Sequence, residues 1–403
     1  MKVGVLLPNI PPVVGGGFTL QDDILQALVR LESRHSFVVL NSLREAQATE
    51  ATAKQLQFVS LQRGFVGRAV FKLAGIVAKP LARSPVMRSW FQARYVRRLK
   101  QAVDDLGIEV MWFVGPYYAD VDIPYIFTVW DLQHRLQPWF LEVSANGEWR
   151  RREKMYATAI PRASAVIIGT ESGRAEIVQF YRVPPERVKL IPHPTPGFAL
   201  DASQDSGREV LTKYRIPEGY LFYPAQFWPH KNHVCLLLAV KILREQHGLT
   251  LPVVFVGSDM GNLPHVRHMV DELGLSTQVH FLGFVPQEDL VGLYRNAFAL
   301  TYLTFFGPEN LPPLEAFALG CPVVASNVSG AQEQLGDAAL LVDPRNEEEV
   351  AMAVKSLYED LELRRTLVQR GLERAVKWTG ENYIRSVFAI LDEFAPVRRC
   401  WGK

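Results

Sequence analysis

Leu300-Thr-Tyr-Leu-Thr-Phe-Phe-Gly-Pro-Glu-Asn-Leu-Pro-Pro-Leu-Glu-Ala-Phe-Ala-Leu-Gly-Cys-Pro-Val-Val-Ala-Ser326, followed by Asn327-Val-Ser-Gly-Ala-Gln-Glu333 and Leu340-Leu-Val-Asp-Pro344, decides the fold of this chain. It reads as a strand, a polar turn, a helix opened by Pro312-Pro313, a short strand and a second loop. That order puts the amino end of a helix at the edge of a sheet, where unpaired N–H groups and the helix dipole both favour negative charge. A diphosphate suits such a place.

The same alternation runs outward in both directions. Val3–Leu7, Phe37–Leu40, Val110–Phe113, Tyr125–Val129, Ala165–Ile168 and Val188–Ile191 are strand-like, and Gln21–Glu32, Ser89–Leu106, Glu148–Ile160 and Ser172–Tyr181 carry helical spacing. Strands that take turns with helices call for a parallel sheet covered on both faces. Residues 194–218 have the Pro, Gly and polar content of a connector, and the pattern restarts at Tyr220–Tyr223. The expected fold class is therefore α/β, as two facing doubly wound domains with ligands at the carboxyl ends of the strands in the cleft between them.

At 403 residues and 48% hydrophobic content, the chain is long enough for two ordinary cores. Cys235, Cys321 and Cys400 show no paired spacing, so neither a disulfide framework nor a metal site is suggested and a reducing, cytoplasmic compartment is expected. Met1-Lys2 leads straight into a first strand, too short an apolar run for a secretory segment. No other stretch holds the ~18 apolar residues a membrane span needs. The net charge is only +2, but no Asp or Glu falls between Ala51 and Val103, where basic residues alternate with Phe65, Phe71, Trp90 and Phe91. Residues 54–100 thus read either as a peripheral contact with an anionic membrane face or as a solvated cationic surface. Nucleic acid is not expected as a partner, because no recognised binding fold accompanies the patch.

Leu311, Pro312, Leu314, Glu315, Ala316, Gly320, Pro322, Val323 and Val324 stand in register with the nucleotide-sugar motif of the retaining glycosyltransferases of family 4. The chain resembles that family over nearly its whole length, most strongly from residue 220 to 344. Departures are specific. The family's first glutamate, eight positions before Glu315, is Gly307 here; Glu309 either replaces it from a reshaped loop or is a solvated acid. In Tyr223-Pro-Ala-Gln226-Phe-Trp-Pro-His230-Lys231-Asn232, Lys231 and Asn232 match the family's diphosphate-binding segment, while its arginine position is Gln226. In Thr128-Val129-Trp130-Asp131-Leu132-Gln133-His134, Asp131 agrees, Trp130 occupies the histidine position as a stacking platform or as core, and His134 lies near enough to assume part of that role. Gly15-Gly16-Gly17 resembles the glycine loop after the family's first strand, and Phe281-Leu-Gly283-Phe284-Val285 the loop that receives the nucleobase.

The resemblance implies a GT-B architecture with an acceptor-side domain at 1–198, a nucleotide-sugar domain at 199–378, and a terminal helical segment, 379–403, returning to the first domain. It implies transfer of a sugar from a nucleotide-diphosphate-sugar to a saccharide or lipid-linked acceptor with retention of configuration, with no metal and no resident cofactor. Lys231, Glu315, Glu309, His134 and Asp131 are the expected catalytic residues. Gly15, Gly16, Gly17, Gln226, Phe284, Val285, Asn310, Leu311 and Glu315 are expected to bind the donor. Because three family positions depart together, a catalytically silent nucleotide-sugar-binding protein is the rival from another class, and an epimerase or hydrolase on the same architecture is a third.

Overall fold

The computed structural model describes residues 1–7, 15–40, 55–61, 85–203, 205 and 207–402. Most of the basic stretch at 54–100, and the loop at 8–14 that leads to Gly15, lie outside the described residues.

Two parallel sheets organise the chain. The first has seven strands: β1 (Lys2–Leu6), β2 (Ser36–Leu40), β3 (Leu56–Val59), β4 (Val110–Phe113), β5 (Tyr125–Thr128), β6 (Ala165–Ile168) and β7 (Val188–Leu190), in the order β3-β2-β1-β4-β5-β6-β7. The second has β8 (Tyr220–Pro224), β9 (Val253–Val256), β10 (Val279–Gly283), β11 (Ala297–Tyr302), β12 (Val323–Ser326) and β13 (Leu340–Val342), in the order β10-β9-β8-β11-β12-β13. Central strands such as Val-Val-Phe-Val of β9 are apolar at every position because helices cover both faces, and all four residues are buried. β3 was not foreseen from sequence. It is an edge strand of four residues, buried only at Leu56, and its short polar-interrupted pattern carries little signal.

In each sheet the strand order reverses between the first strand and the fourth, β1 beside β4 and β8 beside β11. Loops leaving such neighbours diverge to opposite faces and open a crevice at the carboxyl ends of the strands. The loop after β8 carries Lys231, and the loop after β11 carries Glu309 to Leu311.

The helix Gly380–Arg398 packs on the first sheet. Tyr383, Ile384 and Val387 are buried in its core, Tyr383 stacks on Trp112 with centroids 6.4 Å apart, and Phe388 stacks on Phe37 at 5.4 Å. Where the chain passes between the sheets, Thr195 N–H donates to Trp378 O at 3.0 Å and Trp378 Nε1 to Pro192 O at 2.7 Å. No helix among the described residues is long and apolar enough to cross a membrane.

Asp23, on the helix Gly16–Arg30, accepts from Gly197 N–H at 3.0 Å at this crossing. Burial pushes its carboxyl up to about 7 from the usual 3.8, against the lowering effect of the Gly197 bond. Between these values the folded chain holds a proton that the unfolded chain has released. The stability this group contributes is present below pH ~4 and is lost as pH rises through ~7. Asp23→Asn keeps the bond from Gly197. We expect its advantage over the parent in urea unfolding to be about 2 kcal/mol larger at pH 8 than at pH 5; an advantage independent of pH would contradict this.

Candidate functional site

Three elements converge on the cleft. The first is the start of the helix Gly16–Arg30, whose N-cap Gly15 takes φ +76°, a conformation suited to glycine, with no side-chain cap and no acidic residue in the first turn. The second is the start of the helix Leu311–Ala318. Gly16 faces it: Leu311 Cδ1 lies 3.5 Å from where a β-carbon on Gly16 would stand, and Leu311 is buried in the apolar cluster of the first sheet. At this helix start Pro312 and Pro313 carry no N–H. Asn310 N–H is taken by Gln334 Oε1 at 2.9 Å, while Asn310 Nδ2 donates to Gly307 O at 2.9 Å. Leu311 N–H is thus the first-turn donor left to meet an anion.

The third element is the turn bearing Lys231, which local packing holds closely. The fully buried Tyr223 hydroxyl donates to Lys231 O and accepts from Leu303 N–H at 3.0 Å, tying the β8 loop to the β11 loop. Asn232, in the left-handed region at φ 54°, donates from Nδ2 to Leu303 O at 3.0 Å and Pro344 O at 2.7 Å. Lys231 Nζ itself donates to Tyr302 OH at 2.9 Å. His233, packed on Tyr223 and Phe227, stays neutral, since burial lowers its ring to about 3.

Glu315 is 7% exposed and its Oε2 accepts from Tyr294 OH at 2.6 Å. Burial raises its carboxyl to about 7, with the Tyr294 bond opposing. Gln226 Oε1 accepts from Trp228 Nε1 at 3.1 Å. Val285 is buried, and Phe284 is half exposed beyond β10.

Glu309 reaches the opposite wall. Its carboxylate accepts from His193 N–H at 2.6 Å and sits against Gly169, at the ends of β7 and β6 in the first domain; a β-carbon at Gly169 would collide with it. Burial raises its pKa. His134 is fully enclosed, donating to Glu153 Oε2 at 3.1 Å with Tyr156 packed on its ring, so in this conformation it offers no open face to the cleft. Burial lowers its pKa. Asp131 accepts from Gln133 N–H at 2.9 Å and from Arg152 Nη1 at 3.0 Å, which orients the segment after β5. Lys231, Leu311 and the Gly15–Gly17 turn therefore flank the crevice, whereas Glu309 and His134 are engaged within or against the first domain.

Several cleft contacts join residues far apart in the sequence. Glu333 accepts from Ser172 Oγ at 2.6 Å, Glu171 N–H at 2.6 Å and Ser172 N–H at 3.1 Å, capping a helix of the other domain, and against the raising effect of burial these donors, the Ser172 hydroxyl foremost, hold its carboxyl below the usual range. Ser329 Oγ donates to Glu176 at 3.4 Å. Glu142 pairs with His230. Such pairs depend on how the domains meet, which leaves no local pattern in the sequence.

Comparison with known proteins agrees with this architecture. The Glycosyltransferase Family 4 model matches residues 14–196 and the Glycosyl transferases group 1 model matches residues 212–374. O-antigen chain mannosyltransferase B of Escherichia coli is 28% identical over 234 residues, covering 58% of this chain and 61% of that protein. D-inositol 3-phosphate glycosyltransferase of Corynebacterium jeikeium is 27% identical over 252 residues, 59% of each. The chain thus spans less than two-thirds of the length of these curated relatives. Among solved structures, sucrose-phosphate synthase of Thermosynechococcus elongatus superposes with a TM-score of 0.71 at 16% identity, covering 99% of this chain and 100% of that one. Anabaena HepE in complex with UDP and glucose gives 0.69 at 16% identity, covering 98% and 100%. With two doubly wound parallel sheets and both halves matched, the chain belongs to the group 1, family 4 glycosyltransferases of GT-B fold.

Proposed function

We propose that this protein transfers a sugar from a nucleotide-diphosphate-sugar to a saccharide or lipid-linked acceptor, with retention of configuration. The observation that carries the reading is the crevice between β8 and β11, flanked by Lys231 and the start of the helix Leu311–Ala318 and facing the start of the helix Gly16–Arg30. A diphosphate leaves readily once its growing charge meets an ammonium, an N–H donor and two helix dipoles already in place. Glu315, set by Tyr294, is suited to accept the ribose hydroxyls. Attack from the face the diphosphate departs lets its own oxygen take the acceptor's proton, so no separate protein base is required. Metal and resident cofactor have no role in this reading.

The similarity to a mannosyltransferase makes a mannosyl donor the first to test. A lipid-linked acceptor would bring the region of residues 54–100 to a membrane; within its described part Trp90 is 51% exposed with Arg94 over its ring. The test is release of nucleoside diphosphate from UDP-, GDP- and dTDP-sugars with and without saccharide acceptors. Acceptor-dependent release is expected. Release without acceptor would indicate a hydrolase, and binding without release a silent nucleotide-sugar protein.

A further inference from the structure

The segment that follows Asp131 crosses the cleft and grips the turn bearing Lys231. Glu142, on the short helix Leu141–Ser144 of the first domain, accepts with one oxygen from His230 N–H at 3.3 Å and from His230 Nδ1 at 2.5 Å. The side chains of Glu142 and His230 are 6% and 13% exposed. Glu142 is held below the usual carboxylate range because the His230 bonds outweigh burial, while burial lowers His230. The pair is therefore a carboxylate accepting from a neutral ring whose proton is on Nδ1.

Two further contacts fall on the same loops. Gln137 Nε2 donates to Phe305 O at 2.8 Å, and Phe140 stacks on Phe305 at 5.9 Å and meets His230 edge-on at 6.2 Å. Phe305 N–H in turn donates to His230 O at 2.8 Å. One short stretch of the first domain thus touches both loops that leave β8 and β11. Glu142 Oε2 is buried with no hydrogen-bond partner. A buried, half-satisfied carboxylate is a poor stabiliser, and fixing geometry is its best-attested use.

We propose that Glu142 and His230 are a positioning pair: when the domains close, Glu142 adds to the hold that Tyr223 and Asn232 already give the turn carrying Lys231 and fixes that turn against the first domain. This rests on the diphosphate-binding role of Lys231 proposed above. The pair touches no substrate; it acts through the backbone of residue 231, whose side chain meets the leaving group.

The test uses the full chain with Glu142→Ala, Glu142→Gln, His230→Ala and the double variant Glu142→Ala/His230→Ala. Glu142→Ala is expected to lower kcat about 10- to 100-fold, in line with the loss of preorganisation at a charged site. Binding of free nucleoside diphosphate should change less than about threefold, because the donor domain retains Lys231. Glu142→Gln keeps an acceptor oxygen for the ring N–H and should stay within about threefold of the parent, as the folded control. The double variant should be no worse than the worse single one. Loss of kcat matched by equal loss of nucleotide affinity, multiplicative singles, or a Glu142→Ala kcat within about twofold of the parent would overturn the proposal. Small-angle X-ray scattering supplies a readout independent of turnover. Glu142→Ala should enlarge the radius of gyration and Glu142→Gln should not; an unchanged radius overturns the clasp whatever the activity. A parent that transfers nothing while the radius responds would sink the transferase reading and support the clasp.

Discussion

Lys231→Ala is expected to lower kcat/KM for sugar transfer by about 100- to 1000-fold, the loss seen when one preorganised group facing a developing oxyanion is removed. Stability should change by no more than about 1 kcal/mol. The side chain's folded-state interactions are one hydrogen bond to Tyr302 OH at 2.9 Å and a position over that ring at 5.1 Å, and the turn is held by Tyr223 and Asn232 without it. The family's usual second cation is absent, since Gln226 stands there and is engaged with Trp228. On the proposed function Lys231 would therefore carry more of the diphosphate's charge alone. Parallel measurement of kcat/KM and thermal unfolding checks this, and a variant with near-parental kcat/KM contradicts the site.

The second large effect concerns Glu315. Glu315→Gln should weaken nucleoside diphosphate binding about tenfold above pH ~8, where the parent carboxyl is ionised and a charged acceptor of ribose hydroxyls becomes a neutral one, and by less as pH falls through about 7. Glu315→Ala should weaken binding further and also destabilise the domain by about 1–3 kcal/mol, because the buried Tyr294 hydroxyl loses its acceptor. That hydroxyl bond makes the alanine variant ambiguous by itself, and the glutamine variant separates binding from folding. Calorimetry of nucleotide binding beside urea unfolding would show both. Unchanged affinity in the two variants would remove Glu315 from the donor site.

Much of the fold was legible because parallel strands covered on both faces must be apolar throughout. β6, Ala-Val-Ile-Ile, and β9, Val-Val-Phe-Val, announce themselves, and the alternation with helices supplies the rest. β3 did not, being short and at the edge. The stretch around Leu311 and Glu315 was legible as a helix start at a sheet edge, but the donors actually left there were not. That required seeing Asn310 N–H consumed by Gln334. Sequence proximity placed His134 beside Trp130 and Asp131, yet one helical turn, Gln133–Leu136, swings its ring into the core against Tyr156. Glu309 lay two residues from the family's glutamate position, and only the meeting of the domains shows it accepting from His193 on the far wall. Contacts of this kind, such as that between Glu142 and His230, 88 positions apart, follow from domain placement rather than from any local spacing.

On the proposed function, a donor's two phosphates lie between Lys231 and the amino end of the helix Leu311–Ala318. Crystals of the full chain grown with saturating nucleoside diphosphate test it most directly. Phosphate oxygens are expected within about 2.7–3.2 Å of both Lys231 Nζ and Leu311 N, with the ribose at Glu315. Nucleotide bound elsewhere, or a crevice filled by the protein's own side chains at saturation, would contradict it.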